Sequence, residues 1–253
     1  MPTRLPEYRR LLTTALDHGY RVISVEEWAR LLDQPPGPSI GKLMVMRHDV
    51  DTDAALTIKW SEIERDAGVG ASYFYRQTTM DGRVIEAVMR AGFHVSYHFE
   101  EIAEVAKERR LGSEQAIRQH MPEMQQRFAR NLDAMRARFG LDGRIVCSHG
   151  DWMNRRLGVR NLELLRDPAF RQQAGVDYET YDEALMTPLN GYYTDSQPPS
   201  YWRRSGSPFD AIHAGITPIG VLTHPRQWQP NFASNTAETW RRISEGLAYR
   251  GAA

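Results

Sequence analysis

Two hydrophobic periods alternate along this 253-residue chain. Apolar runs of strand length, "KLMVM", "ASYFY", "HVSYH", "RIVCS", "AGVDY", "GYYTD" and "PIGVLTH", recur from residue 42 to residue 224. Between several of them, apolar residues fall three and four apart, the spacing of one helix face. These stretches predict helices over 53–67, 81–91, 113–139, 160–166 and 235–249. The longest is the clearest: Ile117, Met121, Met124, Phe128, Leu132, Met135 and Phe139 make a continuous stripe that reads as a core-facing side. Two shorter helices, 6–18 and 25–33, come first, and the second opens on Ser24 with Glu27 three residues later, a capping-box pattern. "DQPPGPSIG" then interrupts regular structure. It closes a leader, residues 1–40, that is too short to bury a core alone.

Strand–helix alternation over this length predicts an α/β protein with a mostly parallel sheet, and seven candidate strands suit an incomplete barrel. The expected organisation is one domain over residues 1–253, with residues 1–40 packed on it as a short helical N-terminal extension.

Composition narrows the partners. Hydrophobic residues make up 41% of the chain and charged residues 25%, ordinary for a globular protein. Lys+Arg and Asp+Glu are 32 each, so nothing in the charge balance points to nucleic acid or to a membrane surface. There is no apolar run of membrane-spanning length. The stretch "MPTRLPEYRRLLTTALDHGY" has no long apolar region, so a cytoplasmic protein without a secretory signal is expected. Cys147 is the only cysteine and reads as a small apolar strand residue. Neither a phosphate-binding G-x-x-x-x-G-K-[ST] nor a strand-linked G-x-G-x-x-G is present, which argues against nucleotide cofactors.

The chemistry gathers where apolar runs stop. "MVMRHDVD", "HVSYHFEE", "IVCSHGD" and "GVLTHPRQW" each end in His or Asp, and parallel α/β folds place binding and catalytic groups at the carboxyl ends of strands. Strand alternation sends Asp49 and Asp51 to one side, roughly 6.6 Å apart, and His48 with Val50 to the other. Asp53, with Thr52, is expected to cap the next helix. His94 and His98 have the i, i+4 spacing of helical metal ligands, but on a strand they stand roughly 13 Å apart. Only His98 is then expected at the site, with His94 structural. Asp51, His98 and one more strand-end histidine, most simply His149, make a three-ligand set with room for water. The same set suits non-haem iron, so residue types alone leave hydrolytic and oxygen chemistry both open.

"RHDVD", "GFHVSYHFEE", "SHGDW", "YYTDS" and "VLTHPRQW", in this order over roughly residues 41–228, resemble the motifs of the polysaccharide deacetylase (NodB-homology) superfamily, in its branch with an R-H-D-V-D first motif. The resemblance implies a distorted (β/α)7 barrel that binds one divalent metal, zinc first, with iron, cobalt or nickel as alternatives. It also implies removal of an N-acetyl or other acyl group from an amino sugar or a related small metabolite. Carried over motif by motif, it assigns the catalytic base to Asp49, metal binding to Asp51 and His98, and the general acid to His224. The family's two first-motif Asp are adjacent, whereas Val50 separates them here, so the two roles are exchangeable. The second ligand His of the family falls at Ile102, which leaves His149, Glu100 or Glu101 to replace it. The R-x-P-x-G motif is replaced by "SHGD".

In the mechanism so implied, metal-bound water attacks the acyl carbonyl, Asp49 takes the proton, and imidazolium His224 protonates the leaving amine. Arg47 or Arg226 could keep Asp49 ionised by charge pairing. Arg47, Arg226, Trp152, Trp202 and Trp228 are the expected substrate contacts, the tryptophans with Tyr201 by stacking on a sugar ring. Two rival readings are lyase, isomerase or oxygenase chemistry on the same barrel, and a catalytically lapsed sugar-binding domain.

Overall fold

Lys42–Val50 forms a nine-residue strand, β2, around which the first part of the fold is built. Eight of its nine residues are buried, which is how strands of parallel sheets covered on both faces behave. A computed structural model of the chain describes residues 3–35, 41–196, 200–202, 206–229, 236, 240–241, 243–246 and 249. By its internal contacts the chain divides into two units: Met1–Ser96 with Asp182–Asn231, and Tyr97–Tyr181 with Phe232–Ala253.

In the first unit, the early half of β2 pairs with β1 (Tyr20–Ile23), from Tyr20 opposite Lys42 to Ile23 opposite Val45. Its later half pairs with β3 (Ser72–Tyr75), from Arg47 opposite Ser72 to Val50 opposite Tyr75. The other edge of β2 pairs with β8 (Ile219–Thr223), which in turn pairs with β7 (Gly191–Thr194). All these pairings are parallel, so β2, β3, β7 and β8 end at one rim. Asp49, Asp195 and His224 come from these ends.

Helices α1 (Leu5–Asp17) and α3 (Leu56–Ala67) bring aromatic residues to this core. Tyr8 stacks on Trp60 with ring centroids 5.2 Å apart, and both are fully buried. Each large buried side chain of this kind contributes on the order of 1.5–3 kcal/mol relative to exposure. α2 (Val25–Leu32) starts on Ser24, whose side chain accepts the Glu27 N–H at 3.0 Å. The Glu27 carboxylate turns instead to Arg21, at 3.3 Å, so only half of the expected capping box forms. The leader contributes a sheet strand as well as helices: "YRVI" is four residues long and lies between two helices, too brief for period-2 alternation to show. α4 (Gly82–Arg90), α9 (Glu183–Met186) and α10 (Pro208–His213) complete the helices of this unit.

The chain leaves the first unit within β4 (His94–Phe99). In the second unit β4 pairs with β5 (Ile145–Ser148), His98 opposite Cys147, and β5 pairs with β6 (Tyr178–Glu179), again in parallel. α5 (Glu101–Arg109) follows β4 directly. α6 (Glu114–Phe139) is the 26-residue helix expected from the apolar stripe, started by Ser113 and ended by Gly140 at φ 65°. Ile117, Met124, Phe128, Leu132 and Met135 are buried as the stripe predicts, while Met121 and Phe139 at its margins are half-buried. α7 (Trp152–Leu157) and α8 (Pro168–Gln173) are short helices absent from the sequence expectation, as are α5, α9 and α10. Residues 160–166 form a 3₁₀ turn, Asn161–Leu165, and β6 lies later than the run "AGVDY". The helix expected over 235–249 falls largely outside the described residues. The protein is thus mixed α/β, with β2 to β8 the seven strands of a distorted (β/α)7 barrel and β1 an addition. No helix among the described residues is long and apolar enough to cross a membrane.

Candidate active site

Asp49 is the penultimate residue of β2, on the same strand face as Arg47. The Arg47 guanidinium grips it from two nitrogens: Nε donates to Oδ1 and Nη2 to Oδ2, each at 2.7 Å. Both side chains are about 4% exposed, so this is a buried bidentate pair. Such geometry favours the charged form of both partners. Asp51 lies one residue past the strand, where its N–H turns back to the Asp49 carbonyl at 3.1 Å. Arg76, buried at the end of β3, donates from Nη1 to the Asp51 carbonyl at 3.4 Å and was not anticipated.

On the opposite face of β2, as alternation requires, His48 is wholly buried. Its Nδ1 lies 2.7 Å from Thr223 Oγ1 and its Nε2 2.6 Å from Glu64 Oε1. The hydroxyls of Tyr8 and Tyr73 also donate to Glu64. This network joins β2 to α1, α3 and β8 and fixes the strand that carries Arg47 and Asp49.

His224, the first residue after β8, meets Asp195, the first residue after β7. Its Nδ1 stands 2.6 Å from Asp195 Oδ1, and its backbone N–H donates to Oδ2 at 2.7 Å. Trp228 Nε1 donates to the same Oδ2 at 2.7 Å. Three groups therefore hold the carboxylate, and the imidazole that it orients presents Nε2 as its free end. Burial of the ring opposes protonation. The Asp195 charge and hydrogen bond, with the charges of Asp51 and Asp49, outweigh that effect and raise the His224 pKa above the ordinary imidazole value. Asp195 was missed at the sequence level although "GYYTD" ends in an acid just as the recognised strand ends do.

In the second unit, His98 on β4 and His149 after β5 meet edge to face with ring centroids 5.2 Å apart. Two imidazoles on one tetrahedral ion, with N–metal distances of about 2.0–2.1 Å, have centroids roughly 5 Å apart, so this spacing fits a shared metal. The outer nitrogens fit as well. His98 Nδ1 lies 3.1 Å from the Cys147 carbonyl, and His149 Nδ1 lies 2.8 Å from Glu100 Oε2. Ligand histidines characteristically give one ring N–H to a carbonyl or carboxylate, which leaves the other nitrogen's lone pair for the metal. Both rings are at most 5% exposed.

Several expected site residues have other duties. Glu101 turns away: its Oε1 accepts from Tyr97 at 2.6 Å and from Asn131 on α6 at 2.9 Å, and burial raises its pKa against those two bonds. Glu100, weighed as a metal ligand, contacts His149 Nδ1, and with His149 and Asp151 it also forms a group that could hold a metal ion. His94 is exposed at the start of β4. Asp53 does not cap α3; it takes a left-handed turn at φ 53° and its carbonyl accepts the Leu56 N–H. Trp228 is fully buried, packed on Tyr8 and Trp202, so it has no ring face for a sugar and supports Asp195 instead. Trp202 is 8% exposed and pairs through its backbone with Asp195. Trp152 points to the C-terminal segment, its Nε1 3.2 Å from Glu245 and its ring against Tyr249. These three tryptophans sit beyond strand ends as expected, but packing occupies Trp228 entirely and the other two in large part. Arg226 is half-buried on the turn after His224.

The chain is similar to a solved deacetylase. The structure is that of the Streptococcus pyogenes deacetylase PplD in complex with acetate, 12% identical over 88% of this chain and 86% of that one, with a TM-score of 0.41. No family model matches the chain, and no curated protein matches it.

Proposed function

We propose that the protein is a metal-dependent hydrolase that removes an acyl group, in the first instance acetyl, from the nitrogen of an amino sugar or a related small metabolite. The observation that carries this reading is the Asp195–His224 pair, with Nδ1 2.6 Å from Oδ1 and a histidine pKa held above its ordinary value by Asp195, Asp51 and Asp49. An amide cannot expel its amine as an anion; a positioned imidazolium supplies the proton that makes departure feasible. The same Asp195 contact that orients His224 also favours the protonated ring, the state a general acid needs.

Asp51, His98 and His149 would hold the divalent metal, zinc first, the histidines through their inner nitrogens. When bound, the metal polarises the acyl oxygen and lowers the pKa of its water. Asp49 accepts the proton of the attacking water, and Arg47 keeps that carboxylate ionised and aimed along the rim. His224 then delivers its proton to the departing nitrogen, and Asp195 holds the ring in the tautomer that donates from Nε2. Arg47 is thus an orienting partner of Asp49 more than a substrate contact, while Arg226 remains a candidate for substrate. This assignment treats the chain as one functional domain of a cytoplasmic protein.

Metal analysis of the purified protein, followed by amine release from N-acetylated sugars, tests the reading. The expected result is about one equivalent of divalent metal, and turnover lost in Asp51→Ala with His98→Ala. A protein without stoichiometric metal, whose turnover survives that double substitution, would overturn it.

A further inference from the structure

The second unit contains a cavity of about 400 Å³ whose wall includes His149. This volume falls in the range of small-molecule sites, from about 300 Å³ upward, and suits one sugar-sized compound. Its lining is unlike an ordinary surface dimple in three respects. Arg155 and Arg160 both face it, and both are exposed. No acid is bonded to either guanidinium among the described residues, whereas Asp151, the acid in the same wall, is already engaged by Lys107 at 3.2 Å and by the Met153 N–H at 2.7 Å. The amide side chains nearby are consumed internally: Asn161 Nδ2 donates to the His149 carbonyl at 2.6 Å, and Asn154 Nδ2 to the Val159 carbonyl at 2.8 Å. Of the charged side chains in the wall, the two guanidinium groups are therefore the ones left to address a ligand.

Gly150 and Gly158 line the cavity, and a Cβ built on either meets no atom within 4 Å. The space above each is open, and at Gly150 no positive φ demands glycine. Tyr181, one of the few large aromatic side chains left exposed among the described residues, at 36%, also lines the cavity. Arginine guanidinium groups bind phosphate and carboxylate bidentately, and an aromatic ring offers an apolar face to a sugar.

We propose that this cavity is an anion subsite for substrate: it takes a phosphoryl or carboxylate group carried by the sugar, with Arg155 and Arg160 as the paired cations and Tyr181 against the ring. The inference rests on the deacylase reading and deepens it from amino sugars in general to anionic ones. His149, at the cavity wall, links the subsite to the metal-binding residues. Neutral overall charge is no objection, because two unpaired cations in one cleft set the local field.

Calorimetric binding of sugars already free of an acyl group tests the subsite without turnover. Glucosamine 6-phosphate and muramic acid are the anionic probes, and glucosamine is the neutral control. At least one anionic sugar should bind roughly tenfold or more tighter than glucosamine, the scale of one or two hydrogen bonds to a charged group. That preference should vanish in Arg155→Gln/Arg160→Gln and persist in Arg90→Ala, an equally exposed arginine on α4. The two probes separate phosphoryl from carboxylate recognition. If neither anionic sugar gains over glucosamine, or if the gain survives the double substitution, the proposal is wrong. If the gain is present but N-acetylglucosamine 6-phosphate and N-acetylmuramic acid release no amine, the subsite stands and the deacylase reading falls.

Discussion

His224 Nδ1 and Asp195 Oδ1 are 2.6 Å apart, and Asp195 is fixed from a third direction by the fully buried indole of Trp228. Because the carboxylate is held by packing as well as by hydrogen bonds, its charge stays beside the imidazole and favours the proton. A raised pKa means that His224 stays protonated above the ordinary range near 6.5. A general acid must be protonated to act, so activity should hold through neutral pH and fall only as His224 loses its proton. Asp195→Asn removes the largest factor that raises this pKa, and the alkaline limb of the kcat profile should move to lower pH. His224→Ala should lower kcat by about 10²–10⁴-fold, the usual contribution of a positioned acid. A limb that does not move in Asp195→Asn would exclude His224 as the group that titrates.

The Arg47–Asp49 pair makes a separate prediction about stability. Removing one member of a buried bidentate pair leaves the other's charge in a poorly solvated place, at a cost of about 3–5 kcal/mol. Arg47→Met should therefore destabilise strongly, and adding Asp49→Leu should recover most of the loss, although activity stays absent. Denaturant melts of the two single variants and the double variant read this directly. Equal, additive losses would mean that the pair is not coupled.

Glu100 leads to a prediction about metal that does not require turnover. It takes the outer nitrogen of His149 at 2.8 Å, and such partners typically contribute 10–100-fold to metal affinity. Glu100→Gln should weaken zinc binding by about that factor in a chelator competition, while Glu101→Gln should leave it unchanged because Glu101 faces Tyr97 and Asn131. Loss of affinity in the second variant but not the first would reverse the assignment of the two acids.

Much of this was legible in the chain before folding. Strand ends rich in His and Asp pointed to His98, His149 and His224, and each lies at or just past a strand end, because a buried parallel strand has one period and one place to turn polar. The stripe from Ile117 to Met135 located α6 to within a residue for the same reason. What escaped has physical causes. β1 is shorter than any period can reveal, and it pairs with β2 from Lys42 to Val45, ahead of the stretch that pairs with β3. Trp228 lies just past a strand end, where sequence shows an aromatic residue near the rim; its complete burial depends on Tyr8, Trp60 and Trp202, which are distant in sequence. Asp195 was visible as a strand-terminal acid, but its value lies in a partner 29 residues away. Likewise Glu100 and Glu101 are neighbours with equal sequence claims, and only the helix that begins between them sends one to His149 and the other to α6.

Glu101 itself allows a prediction of stability against pH. It is fully buried, and burial raises its carboxyl pKa above the ordinary glutamate range despite bonds from Tyr97 and Asn131. The folded state therefore holds a proton that the unfolded state has released over the window from the ordinary value up to the raised one. In that window stability falls as pH rises, and the whole penalty is present above it. Both partners donate to the same oxygen, Oε1, so a glutamine can accept the same two bonds without bringing a charge into the interior. Glu101→Gln should then raise Tm at pH 8 and leave it nearly unchanged at pH 4, where the native carboxyl is already neutral. A gain at pH 4 equal to that at pH 8 would show that charge is not the cause. A loss at both would show that an amide nitrogen buried where Oε2 has no partner costs more than removal of the charge gains.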